Sequence, residues 1–92
     1  MIESKNQLEK AIVIVGESLN IKDATEELLI NVGVYSTIRE LIFKMFVLNK
    51  QDYFEKDDTV FKSIQLIRLY CLEMSKNGEV NFDVPFIYRK IN

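Results

Sequence analysis

Residues 26–49 read EELLINVGVYSTIRELIFKMFVLN, and this stretch decides the fold that the sequence predicts. Between residues 38 and 48, eight of the eleven side chains are apolar, and the polar ones are Arg39, Glu40 and Lys44. Glu40 and Lys44 are four residues apart, so in a helix they share one face and leave most of the circumference apolar. Such a helix needs cover on several sides. We therefore predict that it is the central helix of a small core.

The composition of the chain is that of one small globular domain covering residues 1–92. Its 92 residues are 48% hydrophobic and 28% charged, which is far from the composition of a disordered chain. Twelve basic and fourteen acidic residues give a net charge of −2. A charge so close to zero creates no strong field toward nucleic acid or anionic lipid. We expect no membrane association.

The residue types that are missing restrict the chemistry. The chain has no histidine, which excludes Ser–His and Cys–His nucleophiles and imidazole metal sites. We therefore predict no enzymatic activity, no metal and no cofactor. The single Cys71 cannot form an internal disulfide, and the N-terminal MIESKNQLEK lacks the apolar core of a secretion signal. No apolar run approaches the ~18 residues of a membrane span, so we expect a cytoplasmic protein.

The N-terminal segment has two interpretations. Ser4 and Gln7 have the spacing of a capping box, and a helix over residues 4–19 would follow. Its apolar residues recur at helical spacing: Leu8, Ile12, Val15 and Leu19. Alternatively, residues 11–15 form a buried strand that ends at Gly16, as at the start of a dinucleotide-binding unit. That fingerprint needs three glycines, and this stretch has one.

The following segment contains one helix or two. Residues 23–26, Asp-Ala-Thr-Glu, are a capping signal with acidic residues where the positive end of a helix favours them. The helix then either runs unbroken to Asn49 or divides at Gly33. Glycine inside a helix costs about 1 kcal/mol relative to alanine, which makes a break at Gly33 reasonable.

Residues 49–58, NKQDYFEKDD, are conspicuously polar. One interpretation is a solvated loop whose aromatic residues fold back onto the core and whose last aspartate caps the next helix. The other is a recognition patch in which aromatic anchors within an acidic rim face a basic protein. A calcium site fits less well, because the spacing does not follow the alternating ligand pattern. The candidate partner-binding residues are Asp52, Tyr53, Phe54, Glu55, Asp57 and Asp58.

Residues 59–77 are predicted to form a helix that stops at Asn77 and Gly78. One apolar seam advances by four or three residues, through Val60, Ile64, Ile67, Cys71 and Met74. Cys71 lies in this seam and is predicted to be a small buried hydrophobe. A second set widens the apolar surface: Leu66, Leu69, Tyr70 and Leu72. This helix is therefore covered on two sides, or a partner covers one of them.

The C-terminal segment, residues 80–88, changes to a two-residue period. Val80, Phe82, Val84, Phe86 and Tyr88 alternate with polar residues or proline, which is typical of an extended or β-like segment. Pro85 excludes a central strand position. Its pairing partner stays open among residues 11–15, a wing hairpin within the tail and a second copy of the chain; alternatively it lies across the bundle without a sheet. We expect a homodimer through helix 59–77 and this segment.

Residues 25–42 resemble the helix-turn-helix of Cro-type repressors. The resemblance rests on Gly33, Val34 and Tyr35, since a Gly-Val-Tyr turn precedes the recognition helix in that family. It departs at Leu29, where the family has a small residue, and at Ile38, which comes one position early. The alternative is a core helix kinked or broken at Gly33. The resemblance implies DNA-facing side chains at Ser36, Thr37, Arg39 and Lys44.

Residues 30–75 resemble the small helical immunity proteins that neutralise nuclease toxins in contact-dependent inhibition and polymorphic-toxin systems. The resemblance rests on three parts in a fixed order. The first part is Gly33-Val34-Tyr35 with Ile38-Arg39-Glu40-Leu41-Ile42. The second part is the acidic aromatic loop, residues 49–58, and the third consists of Phe61, Ile64, Ile67 and Met74. It implies a non-enzymatic protein that offers carboxylates and aromatic side chains to a basic toxin.

Together these patterns predict a mainly α protein. We expect a small three- or four-helix bundle with a C-terminal extended or β-like segment over residues 80–88. The leading functional hypothesis is an inhibitor or immunity-type factor that binds a basic protein. The alternatives are a helix-turn-helix or winged-helix regulator that binds nucleic acid, and a dimeric structural subunit of a larger assembly.

Overall fold

The computed structural model describes residues 5–47 and 58–78, and these form a small helical bundle. The chain order is α1 (Lys5–Ser18), α2 (Lys22–Asn31), α3 (Gly33–Val47) and α4 (Asp58–Lys76). Within the described ranges there is no strand. The prediction of a mainly α bundle is confirmed. The predicted extended segment 80–88 lies outside the described residues, as do Asp52–Asp57 of the acidic segment.

α1 is the central helix of the bundle, and α3 is not. α1 packs against each of the other three helices, most extensively against α4, whereas α3 contacts α2 and, less extensively, α1. The predicted seam of α1 is buried, with Leu8, Ile12, Val15 and Leu19 almost without solvent exposure. The small residues Ala11 and Gly16 are buried beside this seam, and Gly16 allows α2 to approach closely. The prediction that residues 26–49 supply the central helix was therefore wrong.

Residues 11–15 are helical, so the strand alternative for this segment is wrong. α1 ends in a short turn in which Asn20 adopts a positive φ of 62°. The hydroxyl of Ser18 donates to the carbonyl of Val15 at 2.7 Å, and the backbone N–H of Ile21 donates to the carbonyl of Gly16 at 2.8 Å. These bonds satisfy carbonyl groups that the end of a helix leaves without intrahelical partners.

α2 begins one residue before the predicted capping sequence. Lys22 is its first residue, Ile21 precedes it without a side-chain cap, and Asp23 lies in its first turn. Thr25, which the capping prediction placed at a helix end, is instead fully buried inside α2. Its hydroxyl donates to the carbonyl of Ile21 at 2.8 Å, which satisfies this polar group within the core.

The helical stretch divides at Gly33. α2 ends at Asn31, Val32 leaves helical geometry with φ −121° and ψ −8°, and Gly33 begins α3 with φ +85°. Residues with a Cβ rarely adopt a positive φ, so glycine is favoured at the break. The Val32 N–H donates to the Leu28 carbonyl at 2.8 Å. The two short helices can therefore change direction while their hydrogen bonds are kept.

α4 follows the predicted boundaries to within one residue. Its seam is buried at Val60, Ile64, Ile67 and Cys71, and Met74 is half-buried at the edge of the core. The second apolar set predicted on this helix is half-buried, except for Leu69, which is 41% exposed. Arg68 is a charged residue that is buried on α4.

Candidate functional site

One face of α3 carries large apolar and aromatic side chains toward the solvent. Tyr35, Arg39, Phe43 and Val47 follow one another at four-residue intervals, and we call this row the α3 ridge. Phe43 is 59% exposed and Val47 is 60% exposed, while Arg39 is exposed and Tyr35 is half-buried. Two large hydrophobic side chains one turn apart therefore meet solvent on the same face.

The ridge is exposed because of the spacing of the core residues of α3. Ile38, Leu41, Ile42 and Met45 are buried and hold the opposite face of the helix against the bundle. Residues three or four positions apart in a helix lie on the same face, so these four residues share the buried face. Position 43 lies outside this set and points away from the core. The apolar content of residues 38–48 indicates that part of α3 is exposed as such a ridge. Eight apolar residues in eleven exceed what one buried face of a helix holds.

Arg39 is held against Tyr35 on this ridge. Its Nη1 donates to the hydroxyl oxygen of Tyr35 at 3.1 Å, and its Cζ lies 5.7 Å from the centre of the tyrosine ring. Both contacts place the guanidinium group beside the ring. Exposed Glu40 and half-buried Lys44 occupy the neighbouring row of α3. The surface thus combines aromatic, apolar and charged groups on a rigid helix.

The four residues proposed for DNA contact do not share one accessible surface. Arg39 is exposed, and Ser36 and Lys44 are half-buried, but Thr37 is fully buried. The Thr37 hydroxyl donates to the carbonyl of Gly33 at 2.7 Å, inside the first turn of α3. The assignment of Thr37 to a DNA-facing position was therefore wrong, because this side chain completes the core and satisfies the backbone beside Gly33.

The residues predicted to bind a protein lie immediately after the α3 ridge in the chain. Asp52, Tyr53, Phe54, Glu55 and Asp57 are outside the described residues, and of Asp58 only its place at the start of α4 is described. The ridge ends at Val47, five residues before Asp52. The sequence thus continues from the apolar end of the ridge into its most acidic segment.

A second candidate surface is an open groove between α1 and α2, which the sequence interpretation missed. It has a volume of about 800 Å³. Its lining consists of Asn6, Gln7, Glu9, Lys10, Val13, Glu26, Leu29 and Ile30. Ile30 is 83% exposed, the largest exposure among the described large hydrophobic residues. Successive helical residues are about 100° apart, so Leu28, Leu29 and Ile30 cannot all face the core. Three consecutive apolar residues at 28–30 therefore indicate from the sequence that one of them is exposed.

The remaining reactive group, Cys71, is part of the core. It is fully buried, and desolvation raises the pKa of its thiol to about 12, an increase that one backbone hydrogen bond opposes. The thiol is therefore protonated at neutral pH and not poised for nucleophilic attack.

Two kinds of feature are absent from the described ranges, residues 5–47 and 58–78. No group of three or more His, Cys, Asp and Glu residues is arranged to hold a metal ion there. None of their helices is long and apolar enough to cross a membrane. Comparison of the chain with family models, with curated proteins and with solved structures finds no match.

Proposed function

We propose that this protein is a non-enzymatic inhibitor or immunity-type factor that binds a basic protein. The observation that carries the proposal is the exposure of Phe43 and Val47, one turn apart on α3. Apolar side chains that cluster on a surface, beside charged ones, are characteristic of protein interaction sites. Aromatic residues and arginine supply most binding hot spots, and the α3 ridge contains Tyr35, Arg39 and Phe43.

The acidic segment that follows the ridge supports a basic partner. Residues 52–58 contain four carboxylates and one lysine, with Tyr53 and Phe54 among them. Carboxylates accelerate encounter with a basic surface and exclude acidic competitors, whereas apolar contacts supply affinity once water is removed. In this proposal the α3 ridge provides the apolar contact, and the segment from Asp52 to Asp58 provides the charge complementarity.

The test is affinity capture from the native host with tagged protein at low and at moderate salt. We expect one basic protein to be retained at both salt concentrations. Its affinity should fall at least tenfold for the Phe43→Ala/Val47→Ala variant and for the Tyr53→Ala/Phe54→Ala variant, which corresponds to about 1.4 kcal/mol. Leu69→Ala is the matched control, because Leu69 is an exposed apolar residue on α4. Unchanged affinity in both double variants would exclude this surface.

A DNA-binding regulator is the second candidate function. It is favoured by the break between α2 and α3 at Gly33, with φ +85°, and by the exposure of Arg39 on the second helix of that pair. In this case nucleic acid would be retained at low salt and lost at moderate salt, and Arg39→Ala would weaken its binding. Thr37 has no part in this candidate, because its side chain is buried.

A further inference from the structure

We propose that the outer face of α4 binds a second copy of this chain, so that two α4 helices pack antiparallel around a twofold axis. The surface is a row of four residues, Lys62, Leu66, Leu69 and Glu73, which we call the α4 row. The sequence predicts that helix 59–77 is part of a homodimer, and the α4 row defines the face, the direction and the register of that contact. It is separate from the α3 ridge and does not depend on the function proposed for that ridge.

The α4 row lies on the side of the helix that faces away from the core. Its residues follow one another at intervals of four, three and four, which places them in one stripe along α4. At about 100° per residue, Leu69 is turned about 180° from the buried Val60. Lys62 and Leu69 are exposed, and Leu66 and Glu73 are half-buried. Among the described helices α1 supplies the main contact of α4, so the face opposite the buried seam is available to another molecule.

The centre of the row is apolar. Leu66 and Leu69 are one turn apart, and Leu69 is 41% exposed. A single exposed leucine is ordinary on a protein surface, so Leu69 alone does not indicate an interface. The spacing of the whole row does, because residues that alternate at intervals of three and four form the contact line between two helices packed side by side.

The α4 row is complementary to itself when it is read in the opposite direction. Lys62 comes four residues before Leu66, and Glu73 comes four residues after Leu69. When Leu66 of one copy lies opposite Leu69 of an antiparallel second copy, Lys62 therefore lies opposite Glu73. Each leucine then meets a leucine, and each ammonium group meets a carboxylate.

The charges at the two ends of the row favour this direction and this occupant. Lys62 and Glu73 are eleven residues apart, about 16 Å along a helix, so they do not pair with each other within one chain. Parallel packing of two copies would place lysine beside lysine and glutamate beside glutamate, and like charges repel. An occupant with charges of one sign would be repelled at one end of the row. An antiparallel second copy is attracted at both ends.

A single pair of helices makes a small interface. α4 has 19 residues and is therefore about 28 Å long, and the row occupies little more than half of that length. Interfaces that bury less than about 1,200 Å² in total are typical of weak and transient complexes. We therefore expect a reversible dimer whose population rises with protein concentration.

The test is analytical ultracentrifugation of the full chain over a range of protein concentrations. We expect the average mass to rise with concentration from 10.8 kDa, the mass of one chain, toward twice that value. Leu69→Lys places a charge in the apolar centre of the row and should raise the dissociation constant at least tenfold. Position 69 is exposed, so the fold should be unchanged, which circular dichroism would verify. Phe43→Lys is the matched control, because it adds the same charge at an exposed apolar position of α3 and should leave the dissociation constant unchanged.

Reversal of the end charges tests the direction of the pair. Lys62→Glu and Glu73→Lys each place like charges opposite one another at both ends of an antiparallel dimer, so each should raise the dissociation constant several-fold. The double variant Lys62→Glu/Glu73→Lys restores opposite charges at both ends. Its dissociation constant should return to that of the unsubstituted chain. In a parallel pair all of these variants place like charges opposite one another, and the double variant would restore nothing.

A mass of 10.8 kDa at every concentration, or a dissociation constant that Leu69→Lys leaves unchanged, would overturn the proposal. A dimer lost with Phe43→Lys and retained with Leu69→Lys would place self-association on the α3 ridge and would also overturn it. So would a double charge variant that associates no better than the two single variants. Affinity capture tests the α3 ridge in a separate measurement, so the two proposals can fail independently.

Discussion

Gly16 of α1 and Thr25 of α2 pack so closely that a Cβ at position 16 would lie 2.7 Å from the Cβ of Thr25 and nearer still to its Oγ1. Both residues are buried, and the Thr25 hydroxyl is already bonded to the carbonyl of Ile21. Glycine is therefore required here by the space between two helices, because α1 is helical at this position. This contact fixes the end of the α1–α2 pair that lies opposite the groove.

Replacing Gly16 with alanine should destabilise the protein. Alanine favours a helix by about 1 kcal/mol over glycine, but overpacking of a core typically costs about 1–3 kcal/mol. Contact with the rigid Cβ of Thr25 should make the packing cost dominate, so we expect a lower free energy of unfolding in urea. The double variant Gly16→Ala/Thr25→Gly tests the cause, because glycine at position 25 removes the Cβ as well as the hydroxyl and methyl groups. Alanine at 16 should cost less when Thr25 is already glycine. A more stable Gly16→Ala protein would contradict the observed packing.

Replacing Gly33 with alanine should also destabilise the protein, but for a different reason. Apart from the adjacent residues and the backbone of its own helix, no atom lies within 4 Å of the position a Cβ would take at Gly33, so there is space for the methyl group. The backbone φ of +85° is the obstacle, and it should cost an L-residue about 1–2 kcal/mol. Gly33→Asn should cost less in urea unfolding, because asparagine tolerates this region better than alanine. Equal stability of the alanine variant and the unsubstituted chain would show that α2 and α3 join without a positive φ at this position.

Truncation should destabilise the protein much more on the buried face of α3 than on the exposed face. Leu41→Ala removes a buried side chain and should lower the free energy of unfolding by about 2–5 kcal/mol. Phe43→Ala removes an exposed one and should change it by no more than about 0.5 kcal/mol. Chemical denaturation of both variants measures the difference. A loss of several kcal/mol for Phe43→Ala would mean that the ring is packed within the protein and is not available to a partner.

Cys71 should make the stability depend on alkaline pH. Burial raises the pKa of its thiol from 9.0 to about 12, so between these values the unfolded chain loses a proton that the folded chain keeps. The free energy of unfolding should therefore fall as pH rises through this window, by up to about 1.4 kcal/mol per pH unit from this group. Below pH 9 its contribution should be constant.

The control for Cys71 is Cys71→Ala, which leaves a small cavity at every pH but has no thiol to ionise. Urea unfolding at pH 8 and pH 10 under reducing conditions measures the stability gap between the variant and the unsubstituted chain. We expect the gap to be smaller at pH 10. A gap that stays constant would show that the thiol is ionised equally in the folded and unfolded chains.

Local patterns predicted the helices, but they did not predict which helix is central. The seams of α1 and α4 repeat at three- and four-residue intervals, and their residues are buried except for Met74, which is half-buried at the edge of the core. The close approach of α2 to α1 depends on the small residue Gly16. A count of apolar residues along the sequence gives such a residue little weight in the core. α3 has the larger apolar content, and part of that surplus is exposed at Phe43 and Val47.

The candidate sites were predicted less completely, because tertiary packing decides which side of a helix is buried and which is exposed. Ser36, Thr37, Arg39 and Lys44 were grouped as polar, yet the packing of α3 buries Thr37 and leaves Arg39 exposed. A threonine can enter a core because its hydroxyl can bond to the carbonyl four residues earlier. The groove was missed because its lining comes from two helices, and a scan along one helix does not bring Val13 next to Leu29.

The most direct test of the central claim places a photoreactive benzoylphenylalanine at position 43 and, in a separate sample, at the exposed Lys62 of α4. Both proteins are irradiated in lysate of the native host, treated with nuclease and analysed for covalent adducts. A protein-binding α3 ridge predicts one discrete protein adduct from position 43 that survives nuclease and is missing from position 62. The absence of an adduct from position 43, or an adduct that nuclease removes, would contradict it.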